Sequence, residues 1–213
     1  MTLNELIRLL RESTSPEEVD AHREEIAVLI PKTAVMFGYD QKTEKQNHDL
    51  WMHSVHTALN LPKDIEDDMV YLAALLTDIG KPDTQTPEKH GKEGEMYYPG
   101  HEEKSEEITA REILPALEAG GEAPDKESEE RLLYYIRYHN DLPGLMKKYI
   151  RKHLKLGTFQ QFLNLMNLQI ADAHAQMYYT ASKERAALCE MILKKAETDD
   201  DLVSLITPFK WIV

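Results

Sequence analysis

A single cysteine, Cys189, stands in a chain of 213 residues. It has no second thiol to join, so an internal disulfide is excluded. Its setting in AALCEMIL, which has helical spacing, predicts a buried thiol rather than a reactive one. Long apolar runs are missing too: nothing approaches the roughly eighteen consecutive apolar residues of a membrane span. The opening MTLNELIRLLREST is amphipathic and charged, without the apolar stretch and cleavage site of a signal peptide. These absences predict a soluble, cytoplasmic protein with no membrane partner. Basic residues are also in deficit. With 25 Lys and Arg against 38 Asp and Glu, the formal charge is -13, which argues against a general nucleic-acid binder, because phosphate neutralisation needs a basic surface. A small substrate, or the short end of a nucleic acid, fits better. Nothing in the sequence specifies an oligomeric state.

What is present suffices for one core, since 42% of the residues are apolar. Apolar residues recur three and four apart almost throughout, and no sustained two-residue alternation occurs, which predicts an all-α fold, a single helical bundle with one long loop. Helices are expected over 3–12, from the Ser15-Pro16-Glu17-Glu18 start signal to near Pro31, then over 49–60, 64–78, 101–119, 126–139 and 143–156. A further stretch, 158–196, is expected to break near Thr180, with Gly157 as a cap before it, and a short helix over 199–206 precedes the apolar tail PFKWIV. Residues 38–48 read as a loop. The one long polar connection, 80–100, is rich in Gly, Pro, Lys and Glu, and loops of that length in compact domains are usually functional or mobile. The chain thus divides into a helical extension over 1–27 packed on the core, a main domain over 28–196, and a terminal helix and tail over 197–213.

Five side chains suited to a divalent metal adjoin apolar helical segments: His53 in LWMHSVHTAL, Asp78 in ALLTDIG, His101 in YPGHEE, His139 in YYIRYHND and Asp172 in LQIADAHAQ. A buried carboxylate demands compensation by a cation or by hydrogen bonds, and one metal answers for both Asp78 and Asp172. Imidazole with carboxylate suits Zn, Mn, Fe, Co or Ni better than Ca, and two bridged ions suit attack on a phosphate ester. Taken singly, each residue has a plainer reading: Asp78 as a cap, Asp172 as an ion-pair partner, and a helical histidine as surface or hydrogen-bonded core. His22, His90, His153 and His174 are read in that plainer way. His56, three residues after His53, is either a ligand or a group behind one. Spacing alone leaves these alternatives open.

The order of the residues adds what spacing lacks. His53, then L-L-T-D-I-G-K-P, then G-H-E, Y-H-N and A-D-A-H-A-Q, resembles the HD superfamily of metal-dependent phosphohydrolases. More narrowly, VLIPKTAVMFGYDQ, DLWMHSVHTAL, YYPGHEEKSEEITAREIL and NLQIADAHAQ are similar to the HD region of bacterial tRNA nucleotidyltransferases, the CCA-adding enzymes, over about residues 28 to 190. No nucleotidyltransferase half is expected here, so CCA addition is not carried over. The resemblance implies an HD-type domain in which His53, Asp78 and Asp172 are metal ligands and His101 and His139 complete a second metal position. It implies one or two divalent ions, Mn, Fe, Co, Ni, Zn or Mg. Lys81 matches a lysine suited to phosphate contact; its plainer reading is a solvent lysine after a helix end.

One departure stands out: where the family has a His-Asp doublet, this chain has Thr77-Asp78. A neutral hydroxyl is a weaker ligand than imidazole. Three outcomes follow: one ion held by Asp78, His101 and His139; two ions held weakly; or a pocket that binds without turnover. As an enzyme the chain is expected to hydrolyse phosphomonoesters or 2',3'-cyclic phosphates of nucleotides or RNA ends, with Asp78 and Lys81 as catalytic groups and Asp49 or His56 orienting a ligand or moving a proton. The alternative is a nucleotide- or RNA-binding module. KKYIRKHLK, residues 147–155, carries five Lys or Arg, and Arg151 among them is a candidate phosphate contact, against the plainer reading of a solvated face beside the apolar stripe of Leu145, Tyr149, Ile150 and Leu154. Tyr134, Tyr135, Tyr138, Tyr178 and Tyr179 are base-stacking candidates or core.

Overall fold

A computed structural model describes residues 1–43, 46–88, 92–141, 147–176 and 180–197. His90, Leu145, Tyr178, Tyr179 and the helix expected over 199–206 with its tail lie outside the described residues. Among the described residues the fold is all-α apart from one very short ribbon. Helix α1, Leu3–Glu12, starts in a capping box: the Thr2 hydroxyl accepts the Glu5 N–H, and the Glu5 carboxylate accepts the Thr2 N–H. Leu3, Leu6, Ile7 and Leu10, spaced at helical period, are its buried stripe.

The single helix expected from Ser15 to Pro31 is two. Helix α2, Pro16–Asp20, ends where His22 leaves the helical region (φ -103°, ψ 8°), and α3, Arg23–Leu29, restarts before a 3-10 turn over Pro31–Met36. A tertiary bond sits at the break, where Asp20 accepts the indole N–H of Trp51 at 2.9 Å.

Helix α4, Leu50–Leu59, and α5, Met69–Leu76, run through the core, and all eight residues of α5 are buried. A helix apolar on every face must be surrounded. Accordingly α5 packs against α1, α4, α9 (Lys126–Tyr138) and α11 (Phe159–Ala175). It begins later than the expected 64, because the Asp67 carboxylate accepts the Met69 N–H and makes Asp67-Asp68 a turn before the helix.

The polar connection after Asp78 is more ordered than a plain loop. It holds a single helical turn, α6, Lys81–Thr84, and an antiparallel ribbon of β1, Thr86–Pro87, with β2, Met96–Tyr97, in register Thr86 to Tyr97. Next come α7, His101–Ile108, one π-helical turn over Thr109–Ile113, and α8, Leu114–Ala119, continuous as expected. Beyond α9 lie α10, Lys147–Leu156, then α11, opened by a Thr158/Gln161 capping box, and α12, Thr180–Ala196. Among the described residues no helix is long and apolar enough to cross a membrane.

Candidate metal centre

Asp78 sits buried just past the end of an apolar helix because the chain turns there, and Gly80 makes the turn possible. A Cβ at Gly80 would lie 2.6 Å from the Ser105 backbone nitrogen and 2.9 Å from the His101 carbonyl oxygen, so only glycine lets this turn press on the start of α7. The Gly80 N–H donates to the Ser105 hydroxyl at 3.0 Å. That approach sets His101, the first residue of α7, beside Asp78.

Five residues far apart in the chain converge there: His53 from α4, Asp78 after α5, His101 from α7, His139 after α9 and Asp172 from α11, all buried. They form two trios that share Asp78, namely Asp78, His101 and His139, and His53, Asp78 and Asp172, with the donor atoms of each trio within 4.8 Å of one another. Both trios are composed of groups that can hold a metal ion.

The first trio fits an ion closely. The Nδ1–H of His101 donates to the Tyr98 carbonyl at 2.8 Å, and that of His139 donates to the Ile136 carbonyl at 2.8 Å. These bonds leave each Nε2 as the free acceptor. The two Nε2 atoms stand 3.3 Å apart, and they lie 3.2 and 3.6 Å from the Asp78 Oδ1. Three acceptors facing one another repel unless a proton or cation lies among them. Tetrahedral ligands about 2.1 Å from an ion are about 3.4 Å apart, the spacing seen here, and a backbone carbonyl behind the other imidazole nitrogen is the usual support of a metal-bound histidine.

The second trio is already neutralised. The His53 Nε2–H points between Asp78 Oδ2 at 3.1 Å and Asp172 Oδ1 at 3.0 Å. The Lys81 Nζ pairs with Asp78 Oδ2 at 2.8 Å, and the Arg185 guanidinium pairs with Asp172 Oδ2. Burial pushes the Asp78 carboxyl up, but the charge of Lys81 and the imidazoles of His101, His139 and His53 beside it hold it well below the usual carboxylate range. Asp172 is likewise lowered against its burial, by Arg185 and then His53. Burial opposes protonation of His53 and His101, yet the carboxylates beside them raise both.

The other candidates take the following places. Lys81 is buried, not a solvent lysine, and its second bond goes to the Gln41 side-chain carbonyl at 2.8 Å. Asp49 is the N-cap of α4, accepting the Met52 and Gly38 N–H groups at 2.8 Å each, and belongs to neither trio. His56 stacks on His48 with ring centres 4.4 Å apart and belongs to neither trio. Thr77 is buried, its hydroxyl facing back to the Ala74 carbonyl at 3.5 Å. Arg151 is exposed on α10 and is not among the partners of the buried cluster. Tyr134 and Tyr135 are core, bonded to His153 and Asp67.

Arg185 and Gln41 were not legible as site residues. Arg185 lies one helix beyond Asp172 in a charged stretch, and Gln41 lies in an apparent loop, so neither has a periodic or motif signal. No protein-family model matches the chain, and neither the curated proteins nor the solved structures contain a significant match to it.

Proposed function

We propose that this chain is a metal-dependent phosphohydrolase of the HD type, acting on phosphomonoesters or 2',3'-cyclic phosphates of nucleotides or RNA ends. The observation that carries the reading is the trio of Asp78, His101 and His139, with both Nδ1–H groups tied to backbone carbonyls and both Nε2 lone pairs facing one carboxylate oxygen. Its motif order is that of the family the sequence resembles. A bound divalent cation, Mn, Fe, Co, Ni, Zn or Mg, supplies Lewis acidity toward a phosphoryl oxygen and an activated water near neutral pH. Asp78 holds the position of charge, anchored on its far oxygen by Lys81. Among the described residues the Lys81 ammonium has one N–H beyond its bonds to Asp78 and Gln41, which suits it to a phosphate oxygen. His53 orients both carboxylates by bridging them.

The test is elemental analysis of purified protein beside hydrolysis of a panel of phosphate esters and cyclic nucleotides with added Mn, Co, Ni or Mg. Turnover lost in Asp78→Asn supports the reading; absence of turnover with every ion removes it. A second reading, a nucleotide- or RNA-binding module without turnover, is favoured by Thr77, whose hydroxyl faces its own helix. It predicts thermal stabilisation by nucleotide with no hydrolysis.

A further inference from the structure

We propose that the second trio, His53, Asp78 and Asp172, takes no ion, because Arg185 and Lys81 stand in for it and make this a one-ion centre. The proposal rests on the metal reading of the first trio.

Three observations carry it. The first is charge: two buried carboxylates, Asp78 and Asp172, are each paired with a side-chain cation, Lys81 Nζ at 2.8 Å and the Arg185 Nη2. A divalent ion within this trio would sit a few ångströms from both cations in a buried place, where like charges are weakly screened. The second is the direction of the imidazole. For His53 to ligate through Nε2, its proton would have to move to Nδ1, and that atom is buried with no partner among the described residues. His101 and His139 differ in this respect, since each Nδ1–H already has a carbonyl. The third is the fixing of Arg185. Its Nη1 donates to the Asn140 Oδ1 at 3.1 Å, one residue past His139, so the guanidinium is clamped between α11 and the end of α9. Arg185 is therefore a positioning residue and a permanent charge, where a two-ion site would need a second metal.

The experiment is titration of metal-free full-length protein with Mn(II), read by calorimetry and by metal analysis after desalting. One ion per chain is expected for the unmodified protein. Asp172→Asn still binds one ion, with affinity lowered by no more than about a hundredfold as for a group behind a ligand, and His101→Gln binds none. Arg185→Gln moves the stoichiometry toward two, while Arg185→Lys, which keeps the charge, stays at one; the circular dichroism of each variant verifies its fold. Two ions in the unmodified protein, loss of the ion in Asp172→Asn, or a stoichiometry fixed at one in Arg185→Gln overturns the proposal. Binding of no ion to any form overturns the metal reading beneath it, an outcome distinct from those three.

Discussion

His101 and His139 face each other through their Nε2 atoms at 3.3 Å, while each gives its Nδ1 proton to a backbone carbonyl three residues earlier. The protein backbone thus orients two lone pairs toward Asp78 before any ligand arrives. Replacing His139 with Gln keeps a polar side chain but removes one imidazole nitrogen, and the affinity for Mn(II) is expected to fall at least about a hundredfold, the loss of a ligand exceeding that of a supporting group. Calorimetric titration measures this. Unchanged affinity would remove His139 from the centre.

Gly80→Ala tests the turn that brings Asp78 to α7. The added carbon meets backbone at 2.6 Å, an obstacle that no side-chain rotation relieves. Overpacking of this kind is expected to cost about 1–3 kcal/mol, visible as a lower midpoint in urea, together with weaker metal binding because Asp78 and His101 are pushed apart.

Asp49→Ala separates capping from chemistry. Loss of the N-cap of α4 is expected to cost about 1–2 kcal/mol in stability, with metal stoichiometry unchanged. A lost ion in a folded Asp49→Ala protein would return Asp49 to the site.

His153 sets an acid limit away from the metal centre. It is fully buried among Tyr134, Tyr138, Tyr149 and Phe162, and burial pushes its pKa down to about 4 despite the nearby Asp141. The unfolded chain, with an ordinary histidine near 6.5, binds the proton more readily. The stabilisation from keeping His153 neutral is therefore complete above about pH 6.5 and is lost as pH falls toward 4, by up to about 3 kcal/mol. Urea denaturation at a series of pH values is expected to show this decline, and His153→Gln to flatten it. An equal slope in the variant would assign the acid sensitivity to other groups.

Local sequence determined most of the helices. The Thr2/Glu5 and Thr158/Gln161 capping boxes, the Asp125 cap of α9 and the apolar stripe of α1 act within a few residues, so the chain carries their signals openly. It also determined which side chains could meet, since buried acids and imidazoles beside apolar runs require partners. What the sequence did not carry was long-range. The split of α2 from α3 accompanies a bond to Trp51, and Asp49 became a cap because Gly38 and Met52 came within reach of it. Arg185 reaches Asp172 only because α12 folds back along α11. Which nitrogen of each histidine faces Asp78, and whether a metal or a guanidinium balances Asp172, depend on distances of about 3 Å between segments up to 119 residues apart, and packing alone sets those.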